Sequence, residues 1–196
     1  MIAELVDELR HVHGVHAAIL YGSHARGDAT AESDVDIATF AEVAEITRDA
    51  RLWNGVYLDA FVYPSDTEPS VELLKLVGGQ IVLDDRGVAR RLLDRLVELE
   101  RGGPPPLSEP EARMRRVWAQ KTLARIRRGD AEGNYRRQQL LLNLLEDYFA
   151  LRGAWFRGAK VALAELPPEA RAMFERALLP DAPHEALARL VELVIA

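Results

Sequence analysis

The chain has 196 residues, of which 48% are hydrophobic, a composition that is typical of folded globular proteins and argues against a disordered one. It contains no cysteine, which excludes disulfide frameworks and thiolate metal sites. The formal net charge of −6 is unevenly distributed, since residues 1–100 hold 9 basic and 19 acidic side chains whereas residues 101–196 hold 16 and 12.

The N-terminal segment MIAELVDELRHVHG predicts an amphipathic helix over residues 2–11. Its internal acidic residues differ from the layout of a secretory signal peptide, in which a charged start precedes an apolar stretch. Nowhere does the chain carry the run of about 18 apolar residues that a membrane-spanning helix needs. We therefore expect a cytoplasmic protein with no membrane partner.

Strand and helix patterns alternate along the rest of the first half. Alternating or continuous apolar residues predict strands over residues 15–22, 34–40, 56–63 and 80–85. Apolar residues at three-to-four spacing predict helices over residues 69–77 and 87–100. The first half is therefore predicted to combine a sheet with helices.

A proline-rich segment, RGGPPPLSEP at residues 101–110, separates the two halves. Three consecutive prolines favour an extended conformation that cannot continue a helix or a central strand. Beyond it the sequence shows only helical patterns, divided into five segments by Gly, Pro and Asn. We predict a mixed domain over residues 1–100, a linker over 101–110 and a helical bundle over 111–196.

Two aspartates alternate with apolar residues in the predicted strand SDVDIATF. Because side chains at i and i+2 share one face of a strand, Asp34 and Asp36 project together. A divalent cation such as Mg²⁺ would relieve the repulsion of their charges. Asp59 lies among apolar residues of the next strand, where a carboxylate without a partner is unfavourable. Three carboxylates could hold two Mg²⁺ or Mn²⁺ ions about 4 Å apart, an arrangement suited to phosphoryl or nucleotidyl transfer.

The segment YGSHARG precedes these aspartates and has the residue types of a phosphate-binding turn. Gly22 permits close approach of the backbone to an anion. Ser23 is predicted to cap the following turn, so that backbone N–H groups remain available to phosphate oxygens. Arg26 adds a planar set of donors that suits phosphate.

Together, GSHARG, SDVDI and the later strand aspartate resemble the signature of the DNA polymerase β-like nucleotidyltransferase superfamily. The resemblance covers about residues 15–63, and its Gly-Ser-x-Ala-Arg-Gly form is similar to the minimal and antibiotic (aminoglycoside-type) branch. Residues 151–178 more loosely resemble the C-terminal substrate domain of aminoglycoside-type enzymes. The resemblance implies an α+β fold, in which a polymerase β-like mixed sheet with helices is followed by an all-α bundle.

The same resemblance implies a function and residue roles. The expected reaction is metal-dependent transfer of a nucleoside monophosphate from an NTP, with ATP as the expected donor, to a hydroxyl of a small molecule such as an antibiotic. Gly22 and Ser23 match the phosphate-binding pair, Asp34 and Asp36 the metal ligands, and Asp59 the third carboxylate.

Two residues of the helical half are further candidates. Antibiotic nucleotidyltransferases often use a glutamate of this domain as general base, which makes Glu146 the candidate here. Its alternative role is that of an exposed helix carboxylate. Lys160, one of three lysines in the chain, could reach the nucleotide phosphates.

Alternatives to this function remain open. A basic stretch over residues 113–137 could bind RNA, cover a triphosphate or only solvate two helices, and we favour the last because no RNA-binding motif with interleaved aromatics accompanies it. Nucleic acid is therefore not the expected partner. A minimal nucleotidyltransferase of toxin–antitoxin type that modifies a protein or RNA, and a non-catalytic nucleotide sensor, are the other functions. A homodimer is compatible with the sequence.

Overall fold

The computed structural model describes all 196 residues, which form two compact units, Met1–Gly102 and Gly103–Ala196. Each unit has its own core and is described by itself. The predicted α+β class is confirmed, since a five-stranded mixed sheet with helices lies in the first unit and the second unit is entirely helical.

The first unit alternates helices and strands. Its helices are α1 (Ile2–His13), α2 (Gly22–Arg26), α3 (Val88–Gly102) and a 3₁₀ helix (Val71–Leu76). Its strands are β1 (Ala17–Tyr21), β2 (Val35–Ala41), β3 (Thr47–Trp53), β4 (Val56–Pro64) and β5 (Gln80–Asp84). The strand order across the sheet is β3-β4-β2-β1-β5.

The sheet is mixed because only β2 and β4 run parallel, while the other neighbouring strands are antiparallel. One face packs against α1, where Leu5 and Leu9 join Ile37, Leu58 and their neighbours in a buried core. Since side chains alternate along each strand, residues such as Asp36 and Asp59 belong to the opposite face. This alternation separates the apolar core from the carboxylates.

Strand β3 was not predicted from the sequence. Its segment TRDARLW is mostly exposed and carries three charged residues, so it lacks the apolar alternation by which strands are recognised. It lies at the edge of the sheet, where only β4 is its neighbour, so its charged side chains can remain in contact with water. Charged residues are common on such edges, where they discourage pairing with another chain.

The helix predicted over residues 69–77 is a shorter 3₁₀ helix in the structure. It ends where Gly78 and Gly79 turn the chain into β5. At Gly79 an added Cβ would lie 2.7 Å from Ile19 Cγ2 and 2.8 Å from the Leu76 carbonyl oxygen. The turn therefore packs against β1 with no room for a side chain.

The second unit contains five helices: α4 (Glu109–Ile126), α5 (Ala131–Ala150), α6 (Ala159–Glu165), α7 (Pro168–Leu178) and α8 (His184–Ile195). The predicted linker is shorter than ten residues, because α3 continues to Gly102 and α4 begins at Glu109. Ser108 starts α4 in a capping box, in which its side chain accepts from the Glu111 N–H and the Glu111 carboxylate accepts from the Ser108 N–H.

The core of the second unit is built from the apolar faces of its helices, with Leu140, Leu144, Phe174, Leu187 and Leu190 fully buried. No helix in either unit has both the length and the apolar character required to cross a membrane.

We predict that Gly79→Ala destabilises the first unit by about 1–3 kcal/mol, since the added methyl group overpacks a turn bounded by backbone atoms. Gly102→Ala is the matched control, because a Cβ at this last residue of α3 meets nothing within 4 Å. Urea-induced unfolding of the two variants measures the difference. Equal stability of both variants would contradict the tight packing of the turn.

Candidate active site

Gly22, which follows β1 directly, allows the carboxylate of Asp36 to lie against the backbone at the start of α2. It has a φ of +70°, a conformation that favours glycine. A Cβ at this position would lie 2.2 Å from Asp36 Oδ2. In this structure the anion that closely approaches Gly22 is therefore the protein's own carboxylate.

Ser23 and Arg26 lie in the same short helix. Ser23 was expected to cap this helix, and that expectation was wrong: the helix begins at Gly22, so Tyr21 is the capping position and Ser23 lies buried in the first turn. Arg26, at the other end of α2, pairs with Asp28 at 3.3 Å. Their roles in nucleotide binding remain predictions.

The strand register brings the predicted carboxylates onto one face. Asp36 of β2 is the register partner of Asp59 of β4 and, on its other side, of Tyr21 of β1. Asp34 is exposed and immediately precedes β2. Burial, followed by the neighbouring charges of Asp34 and Asp59, raises the pKa of Asp36 to about 6.

Asp59 has a partner that sequence reasoning missed. Arg48 of β3 donates from Nε to Asp59 Oδ1 at 2.6 Å and from Nη2 to Oδ2 at 2.9 Å. The premise that Asp59 lacks a protein partner was therefore wrong, because the strand that carries Arg48 was not recognised. A bidentate guanidinium–carboxylate pair is a strong, directional interaction.

Lys75 of the 3₁₀ helix is a second cation missed at this site. Its Nζ lies 4.5 Å from the centre of the Phe61 ring and 5.2 Å from that of Tyr21. Its charge partly opposes the upward shift in the pKa of Asp36. The only sequence signal was the rarity of lysine, which occurs three times in the chain.

The carboxylates of Asp34, Asp36 and Asp59 meet only some of the requirements of a hard divalent cation. Carboxylate oxygens are the ligands that Mg²⁺ and Mn²⁺ prefer, and Asp34 and Asp36 repel each other enough to influence titration. However, no group of three or more His, Asp or Glu side chains is gathered closely enough to hold a metal ion by itself. Both oxygens of Asp59 bond to Arg48, so metal ligation by Asp59 requires that pair to open.

Glu146 and Lys160 belong to the second unit. Glu146 lies on α5 with about half of its side chain exposed, and its Oε1 is 3.6 Å from Nη1 of Arg115. The same guanidinium group donates a hydrogen bond to buried Asp147. Lys160 is exposed in the first turn of α6. Their catalytic and nucleotide-binding roles remain predictions.

Several residues of the basic stretch pair with acidic residues nearby in the sequence. Arg113 lies 3.8 Å from Glu109, and Arg128 and Arg136 both reach Glu132. Such exposed pairs contribute little to stability, but they reduce the positive charge of this surface. They are consistent with a solvated helix surface.

Residues 3–68 match the model of the family described as Polymerase beta, Nucleotidyltransferase. No protein with a curated function matches the chain. Among solved structures, the crystal structure of a nucleotidyltransferase-like protein from Exiguobacterium sibiricum is similar over 98% of this chain and 71% of that chain, with 15% sequence identity and a TM-score of 0.41. The family match supports the superfamily predicted from the motifs, whereas the structural likeness is too low to indicate function.

We predict that Asp36→Asn stabilises the protein at pH 7.5 and has little effect at pH 4. The pKa of Asp36 is raised from 3.8 to about 6, so the folded state is penalised as the pH rises through this window and the penalty persists above it. The expected rise in Tm is about 2–4 °C for each kcal/mol relieved.

Thermal unfolding across this pH range measures the effect, with Asp94→Asn as the control because Asp94 is exposed on α3. A Tm difference that does not grow between pH 4 and pH 7.5 would contradict the assigned environment of Asp36.

Proposed function

We propose that the chain is a metal-dependent nucleotidyltransferase that transfers a nucleoside monophosphate, with ATP as the expected donor, to a hydroxyl of a small molecule. The family match over residues 3–68 supports nucleotidyl transfer as the general chemistry. The observation that carries the proposal is the meeting of Gly22, Asp36 and Asp59 within that matched segment, through direct packing and strand register.

The reaction forms one bond to phosphorus and breaks another. The acceptor hydroxyl oxygen attacks the α-phosphorus of the NTP, and the bond from this phosphorus to its bridging oxygen breaks. Pyrophosphate leaves with that electron pair, while the hydroxyl proton passes to a base. Mg²⁺ or Mn²⁺ would supply stabilisation of negative charge on the attacking and leaving oxygens.

Each candidate residue has a proposed role in this chemistry. Asp34 and Asp36 would hold the metal, and Asp59 would join them as a ligand of a second ion after release from Arg48. Gly22 and Ser23 would line the phosphate side of the site, with Arg26 as a phosphate donor. Lys160, on α6, would be a further contact to the nucleotide phosphates.

Two carboxylates are candidates for the base that accepts the hydroxyl proton. Asp59 shares a face with Asp36, but both of its oxygens accept hydrogen bonds from Arg48. Glu146 is more exposed and lies near a guanidinium group that also bonds to Asp147. If Asp59 is the base, Asp59→Asn should slow the chemical step. If Glu146 is the base, Glu146→Gln should slow it.

For the acceptor, we propose a hydroxylated small molecule of the aminoglycoside or lincosamide type. This follows from the resemblance of residues 151–178 to the substrate domain of aminoglycoside-type enzymes. Incubation with radiolabelled NTPs, Mg²⁺ or Mn²⁺ and a panel of such compounds would reveal a labelled product and equimolar pyrophosphate. Tight NTP binding without transfer to any acceptor would favour the nucleotide sensor instead.

We predict that Mg²⁺ or Mn²⁺ strengthens NTP binding by the natural protein and that Asp34→Ala removes this effect, because the variant loses an oxygen ligand. Calorimetric titration with metal and with chelator measures it. Asp94→Asn serves as the control, since this exposed residue lies on α3. Equal NTP affinity of the natural protein under both conditions would contradict the proposed metal site.

We predict that Glu146→Gln lowers the rate of the chemical step by about 10²–10⁴-fold with NTP affinity nearly unchanged, the range expected when a general base is lost. Single-turnover transfer should be compared with Asp59→Asn. If Glu146→Gln retains the full rate while Asp59→Asn loses it, the base is Asp59. If neither variant is slower, both assignments are wrong.

A further inference from the structure

Three cations lie in or beside the carboxylate site of the first unit, and they differ in what they bind. Arg48 donates to both oxygens of Asp59. Arg26 pairs with Asp28 at 3.3 Å. Lys75 makes no ion pair within 4.0 Å, although its side chain is exposed and close to the site. Lys75 is therefore the cation of the three whose charge is not paired with a carboxylate.

The position of Lys75 is fixed by aromatic rings rather than by an anion. Its Nζ lies 4.5 Å from the Phe61 ring centre and 5.2 Å from the Tyr21 ring centre. Cation–π attraction of this kind holds an ammonium group without neutralising its charge. The N–H donors of the ammonium group thus remain suitable for a bound anion.

The strand register places the two rings that contact this ammonium group on either side of β2, the strand that carries Asp36. Tyr21 is the partner of Asp36, and Phe61 is the partner of Ala38, so the two rings flank β2 where it presents Asp36 and Ala38 on this face. The influence of Lys75 on the titration of Asp36 is consistent with this proximity.

A nucleotide triphosphate at this site would need such a cation. The site gathers the carboxyl groups of Asp34, Asp36 and Asp59, and the polyphosphate of the nucleotide is itself strongly anionic. Their mutual repulsion must be offset by positive charge, part of which a divalent metal would supply. An ammonium group that is held over the Tyr21 and Phe61 rings and is not paired with a carboxylate can supply further positive charge.

We propose that Lys75 is a nucleotide-binding residue whose ammonium group donates hydrogen bonds to phosphate oxygens of the bound NTP. This inference rests on the proposed function and adds a residue on the 3₁₀ helix to its site. Lysine acts on phosphate as a compact point charge with three donors. Because the two rings already restrict the side chain, less rotamer entropy is lost on binding than for an unrestrained lysine.

The test compares nucleotide binding by Lys75→Met, Lys75→Arg and the natural protein. Methionine keeps much of the aliphatic packing and removes the charge, whereas arginine keeps the charge and can stack on the rings. Lys121→Met is the matched control, since Lys121 is exposed on α4 of the second unit. Calorimetry should use ATP and adenosine, each with Mg²⁺ and with chelator.

We expect Lys75→Met to weaken ATP binding by about 10–100-fold, the loss expected for a hydrogen bond to a charged group. Adenosine affinity should be unchanged, and the loss for ATP should persist with chelator because the contact is made by the protein. Lys75→Arg should recover most of the affinity, and Lys121→Met should bind like the natural protein. Circular dichroism checks that each variant is folded.

Other outcomes separate this inference from the proposed function. Failure of the natural protein to bind any NTP would overturn both. Normal ATP binding by Lys75→Met would overturn the inference alone. An equal loss for ATP and adenosine, or a loss that disappears with chelator, would also overturn it, because Lys75 would then act through packing or through the metal. If Lys75→Met does not fold, failure of a folded Lys75→Arg to bind ATP more tightly than adenosine would overturn it.

Discussion

The close packing of the Asp36 carboxylate against the backbone of Gly22 is the constraint on which the candidate site depends. A Cβ at Gly22 would lie 2.2 Å from Asp36 Oδ2, so only glycine permits this arrangement. The contact ties the start of α2, which directly follows β1, to the middle of the sheet. It also withdraws the carboxylate from water, and burial is the largest cause of the raised pKa of Asp36.

Because the Asp36 carboxylate is held there, it is repelled by the neighbouring carboxylates. Positively charged side chains from other elements of the first unit reduce this repulsion. Asp59 lies beside Asp36 on the parallel neighbour strand, and Arg48 reaches it from the sheet edge. Lys75 approaches from the 3₁₀ helix over two aromatic rings. Cationic side chains from the edge strand and from the 3₁₀ helix therefore partly offset the negative charge of these carboxylates.

The second unit also contains a buried carboxylate that is paired with a cation. Asp147 is buried on α5, and desolvation raises its pKa while the hydrogen bond from Arg115 opposes that shift. This pair connects α4 to α5 and leaves the adjacent Glu146 exposed. Loss of Arg115 would leave the Asp147 carboxylate buried without this partner, which is destabilising.

The sequence by itself determined most of the local elements and the faces of their side chains. In DVDIATF, alternation separates Asp34 and Asp36 from Val35 and Ile37, and the spacing of apolar residues together with Gly and Pro marks five helices in the second half. The spacing of apolar residues predicts these elements because it follows the side of each helix or strand that is buried.

Only the tertiary structure decided the partners of the candidate site. Strand β3 has no apolar alternation, so the pairing of Arg48 with Asp59 became visible only once β3 was seen aligned with β4 in the sheet. The place of Lys75 above Tyr21 and Phe61 depends in the same way on a 3₁₀ turn and on strand register. These contacts join residues of different elements, and they form only when the strands are aligned and the 3₁₀ helix is packed on them.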